Sequence, residues 1–94
     1  MPLNESQVRI IVQAWESTNT VYDVDWLVRR LGNITDPTRL GLSITEALRD
    51  AINEGYLYVD QIKQFNVFLG YRAFLGLTAS GRAIWKEVFP NAPP

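Results

Sequence analysis

The sequence predicts an α+β domain in which three helices precede a small antiparallel sheet and a fourth helix closes the chain. Three observations carry this. A helix with both a start and a stop signal lies mid-chain, from Ser43 to Gly55. It is followed by a run rich in Phe, Val, Leu and Tyr that reaches Thr78, and this run reads as two extended segments facing each other, with Gly70 and Gly76 as the expected bend or bulge positions. Helical periodicity then returns in Ile84, Trp85, Val88 and Phe89, before Pro90 stops it.

Taken in order, residues 1–3 form a short tail, predicted to be disordered, and Asn4 is the first cap. Gln7 answers Asn4 as the third residue of a capping box, and Leu3 and Val8 are placed to form a hydrophobic staple. Val8, Ile11, Val12 and Trp15 then share one face of a helix ending near Glu16 or Ser17. Ser17 to Thr20 is a turn by composition, and Val21-Tyr22 has room for a very short strand. Asp23 caps a second helix, with Asp25 in the first turn where the helix dipole favours an acid. Val24, Leu27, Val28 and Leu31 form its apolar face, and Gly32 is expected to end it. In the link from Asn33 to Leu42, Pro37 is positioned to start a single helical turn that runs through Leu40 and stops at Gly41.

Ser43 and Glu46 make the S-x-x-E capping box of the third helix, which therefore begins at Ile44. Ile44, Ala47, Leu48, Ala51 and Ile52 fall on one side, and Gly55 supplies the left-handed residue at its end. Tyr56 to Val59 reads as a strand, the apolar hairpin follows, and Thr78 caps the last helix. Residues 90–94 are a second tail, also predicted to be disordered, so residues 1–94 read as one domain without repeat or linker.

With 94 residues and 47% hydrophobic content, the chain is sized for one small core. It has no Cys and no His, which removes thiolate and imidazole chemistry, the usual metal ligands and most catalytic constellations. The expectation is a protein that is not an enzyme and holds no cofactor or metal. An apolar run of membrane-spanning length and a charged-then-apolar leader are both missing from the sequence, which predicts a cytoplasmic protein. The net charge of −1 is unevenly spread, with −4 on residues 1–60 and +3 on residues 61–94.

The segments Leu48 to Leu57, containing Glu54-Gly55-Tyr56-Leu57, and Leu77-Thr78-Ala79-Ser80-Gly81-Arg82 carry a family resemblance. Flanking an apolar hairpin, they resemble the winged helix-turn-helix family, in which a helix runs into an E-G-Y-L-like segment, a wing follows, and an L-T-x-x-G-R segment opens the closing helix. The resemblance spans about residues 4 to 89. It implies a winged helix-turn-helix fold and a small DNA-binding, transcription-regulator-like protein. On that reading Arg39 and Arg49 touch DNA from the loop and the third helix, Asn53 meets base edges beside Arg49, and Lys63 and Arg72 reach phosphate from the wing. The ten-residue link before Ser43 departs from the three- or four-residue turn of a plain helix-turn-helix.

Three features admit two readings each. Glu46, Asp50 and Glu54 recur every four residues as an acidic column on the third helix. Either this helix reads DNA poorly and meets a basic protein surface, or Arg29, Arg30 or Arg82 neutralises the column within the domain. In the hairpin, Phe65, Val67, Leu69 and Tyr71 alternate with Asn66, Phe68 and Gly70, so Phe68 lies opposite its neighbours. Either Phe65, Val67, Phe68, Leu69 and Tyr71 form an interface for a homodimer or protein partner, or a longer core covers both faces. Trp15 and Trp85 are expected in the core, whereas Trp26 sits off its stripe and either covers the long loop or joins the interface. Gly81, one turn into the last helix, points to a close approach of helix to strand. Two functions stay open: DNA binding, and a winged helix that serves protein interaction without binding DNA.

Overall fold

The structure is a computed structural model that describes residues 2–16, 24–66 and 70–91. Along these residues run α1 (Glu5–Glu16), α2 (Val24–Thr35), α3 (Ile44–Asn53), β1 (Leu57–Asn66), β2 (Gly70–Leu77) and α4 (Ala79–Val88). Over the described residues it is an α+β fold with four helices and a two-stranded antiparallel hairpin. The expected cap at Asp23 and short strand at Val21-Tyr22 lie outside the described residues. Among the described residues no helix is long and apolar enough to cross a membrane.

The helix starts follow the side-chain chemistry. Asn4 and Gln7 exchange hydrogen bonds, the Gln7 amide donating to Asn4 Oδ1 at 2.9 Å and the Asn4 amide to Gln7 Oε1 at 3.0 Å. Ser43 Oγ accepts from the Glu46 amide at 3.3 Å, and Thr78 Oγ1 accepts from the Gly81 amide at 3.2 Å. Gly55 closes α3 with a positive φ of 84°. Leu3, assigned by the sequence to a disordered tail, packs against the core, and its amide donates to Asn53 Oδ1 at 3.0 Å.

The core draws on the predicted apolar faces: Val8, Ile11, Val12 and Trp15 of α1, joined by Ala14, which was not predicted, Leu27, Val28 and Leu31 of α2, and Ala47, Leu48 and Ala51 of α3, with Ile44 and Ile52 only partly buried. Leu42, Leu57 and Ala73 complete it from the loop and hairpin. β2 lies on α1, and α2 packs along α3. Trp85 is only partly buried, its ring tilted against Phe89 at 4.9 Å, and Trp26 meets the same ring edge-on at 6.1 Å. Trp26 therefore contacts the end of α4, and neither of its two expected roles describes that contact.

Gly32 does not end α2, which continues to Thr35. Its role is steric: a Cβ there would fall 2.8 Å from Ala47 Cα, so its missing side chain lets α2 and α3 approach at the backbone. The helical turn expected from Pro37 is also absent. Asp36 to Arg39 is a β-turn instead, closed by the Arg39 amide on the Asp36 carbonyl at 3.1 Å, with Asp first and Pro second as that turn favours. Since α2 takes up residues 33–35, the link shortens to residues 36–43.

The strand begins at Leu57, not Tyr56, and runs well past Val59. Its irregularities fall at Asp60 and Phe65, where the register with β2 shifts, and not at Gly70 or Gly76. Gly70 opens β2, and Gly76 pairs with Tyr58 inside the ladder. The close approach expected at Gly81 is present: a methyl group at that position would collide with the Tyr56 carbonyl oxygen.

Candidate functional site

Two surfaces carry the residues of interest, one on α3 and one on the hairpin. On α3 the buried side is Ala47, Leu48 and Ala51, which turns Glu46 and Asp50 away from the core. Arg39 reaches back from the β-turn and holds both acids. Its Nη2 pairs with Glu46, and its Nη1 lies 3.2 Å from Asp50 Oδ2. Its Nε lies 3.7 Å from Asp36 Oδ2, so one guanidinium serves three carboxylates. The acidic column is thus neutralised in part within the domain, but by Arg39 rather than by Arg29, Arg30 or Arg82. Arg49 Nε lies 3.9 Å from Asp50 Oδ1, and the side-chain Oδ1 of Asn53 accepts a hydrogen bond from the Leu3 amide. Three residues assigned to DNA contact, Arg39, Arg49 and Asn53, are therefore near one another but engaged inside the domain. Around them Asp36, Glu46, Asp50 and Glu54 outnumber Arg39 and Arg49.

The hairpin surface is built by its register. Leu57 and Val59 pair with Leu77 and Leu75, all packed on the core, so Tyr58 and Gly76 between them face outward. Strict alternation would next bring Asp60 and Ile62 to the outer face. The extra residue at Asp60 reverses the phase. Gln61 now pairs with Phe74 and Lys63 with Arg72 on the outer face, while Ile62 pairs with the buried Ala73. The outer face thus presents Tyr58, Gln61, Lys63, Arg72 and Phe74 together, with Asp60 exposed at the bulge. Tyr58 is 50% and Phe74 41% exposed. Lys63 Nζ stands 6.0 Å from the centre of the Phe74 ring, a cation–π arrangement. The Tyr58 ring covers Gly76, occupying the place where a side chain would stand.

No family model, curated protein or solved structure matches the chain.

Lys63 and Arg72, both predicted as phosphate contacts from the wing, stand directly opposite each other in the ladder. Of the residues predicted as an interface, Phe65 and Tyr71 lie on the backbone of β1 and β2, and their side chains fall outside the described residues. Val67, Phe68 and Leu69 lie outside them entirely. Sequence reasoning missed Tyr58, Gln61 and Phe74. Their grouping depends on a bulge at Asp60 that no residue type announces.

Proposed function

We propose that the chain is a winged-helix protein that binds nucleic acid, transcription-regulator-like, and that it makes this contact with the hairpin rather than with α3. The element order α1, α2, α3, hairpin and α4 supports the fold reading, as does the start of α4 at Thr78. The observation that carries the functional reading is the cross-strand pair Lys63 and Arg72 on the exposed outer face of the hairpin. Adjacent cations concentrate positive potential locally even in a chain of net charge −1. In contrast, α3 brings Glu46, Asp50 and Glu54 toward any duplex laid along it, and each carboxylate meets a phosphate backbone with like charge.

Fluorescence anisotropy with random duplex at low salt tests this. Binding that weakens steeply with added salt is expected, with Lys63→Gln and Arg72→Gln each lowering affinity and Arg49→Ala and Asn53→Ala changing it little. No binding of duplex or single-stranded nucleic acid at high micromolar protein overturns the proposal.

A second reading, a protein-interaction module acting as a homodimer or adaptor, is favoured by Leu40. This side chain is 82% exposed beside the Arg39 clamp, next to the acids of α3. The apolar run Phe65, Val67, Phe68, Leu69 and Tyr71 belongs to the same reading. Light scattering of wild type and Phe68→Asp tests it: a dimer that the substitution dissociates supports self-association, and a monomer in both removes it.

A further inference from the structure

We infer that the outer face of the hairpin takes single-stranded nucleic acid, with unpaired bases stacked on Tyr58 and Phe74 and the strand's phosphates on Lys63 and Arg72. This rests on the nucleic-acid reading above and names its ligand class. Paired, stacked bases hide their faces, so an aromatic platform is useful only to bases that are not in a duplex. The outer face supplies that platform, since both rings are among the large apolar groups left exposed. The Tyr58 ring is seated over Gly76, and Phe74 stands two residues from Gly76 on the same strand. That separation is about 6.8 Å along the strand, roughly twice the 3.4 Å repeat of stacked nucleotides, which suits bases spread apart.

The charges match a polyanion. Lys63 lies next to Phe74 and directly opposite Arg72. The nearest acid along the strand is Asp60, set in the bulge between Tyr58 and Gln61. Aromatic rings interleaved with cations are the combination that holds single strands with little regard to sequence. Gln61, paired with Phe74, adds a hydrogen-bonding amide across from that ring.

The test is anisotropy of the full chain with a labelled oligothymidylate of about 12 nucleotides, against a duplex of the same length. The single strand is expected to bind at least about tenfold more tightly. Tyr58→Ala and Phe74→Ala should each lower single-strand affinity by about tenfold and leave duplex affinity little changed. Gly76→Ala is the sharper probe. It keeps every charge and ring but pushes the Tyr58 ring off its seat, so single-strand binding should fall in the same direction. Lys63→Gln should weaken both ligands and reduce the single-strand salt slope by about 0.7. Circular dichroism melts of each variant confirm folding.

Equal affinity for both ligands, or wild-type single-strand binding by all three ring variants, overturns this inference and leaves the nucleic-acid reading in place. Binding of neither at high micromolar protein removes both.

Discussion

Gly81→Ala is expected to destabilise the protein even though it places a better helix former inside α4. In an exposed helix interior the change would be worth about 1 kcal/mol in favour of Ala. Here position 81 is buried, and the added methyl group would collide with the Tyr56 carbonyl oxygen, 3.0 Å from its carbon and 3.2 Å from Leu77 Cδ2. Leu77 can rotate, but the Tyr56 carbonyl cannot. It already accepts the Thr78 amide at 3.1 Å and the Thr78 hydroxyl at 3.1 Å, so displacing it loosens the joint between α3, the hairpin and α4. Overpacking against groups that must move costs about 1–3 kcal/mol, with more for backbone than for side chains. Strained hydrogen bonds add about 1 kcal/mol. After subtracting the gain in helix propensity, the net expectation is about 2 kcal/mol, a fall in Tm of roughly 10 °C for a chain this size. Thermal unfolding followed by far-UV circular dichroism measures this, with the exposed neighbour Ser80→Ala as a control expected within about 0.5 kcal/mol of wild type. A Gly81→Ala protein that melts at or above the wild-type temperature would refute the close approach and the argument built on it.

Gly32→Ala should cost about 1–3 kcal/mol in urea titrations, because the new methyl group meets Ala47 Cα at 2.8 Å and backbone must yield. Arg39→Met should destabilise by about 1 kcal/mol at low salt and less at 1 M NaCl, since it leaves Glu46 and Asp50 facing each other on partly exposed ground. A loss independent of salt would show that Arg39 acts by packing. Thr78→Val should cost about 2 kcal/mol, more than the roughly 1 kcal/mol expected of Ser43→Ala, because Thr78 donates to the chain before β1 as well as capping α4. Equal losses in chemical denaturation would remove that added role.

Much of the fold was legible because local chemistry decided it. Asn4 with Gln7, Ser43 with Glu46, and Thr78 are caps whose partners lie three residues away, so the starts of α1, α3 and α4 could be read without tertiary information. The apolar stripes of α1, α2 and α3 became the core for the same reason. Gly32 was misread because a glycine after the last apolar residue looks like a helix end, whereas its cause is Ala47 on another helix. The ion pairs of Arg39 were missed on similar grounds. Its carboxylate partners Glu46 and Asp50 lie 7 and 11 residues away, and only the path of the β-turn brings them together. The hairpin itself was expected, but its outer face was not. One inserted residue at Asp60 decides which side chains join Tyr58, and alternation read from the sequence runs straight through it.

The joint at the root of the hairpin has a consequence for exchangeability. Thr78 ties back to Gly55 and Tyr56 across the two strand ends, and Gly81 locks α4 over the same spot. The first rungs, Leu57 with Leu77 and Val59 with Leu75, are fastened to the globule from both directions. Residues 60–66 and 70–72 lie beyond those rungs, with Ile62 paired to the core residue Ala73. A different pair of strand ends of matching length, grafted there, should inherit a rigid mount as long as an apolar residue keeps the place opposite Ala73.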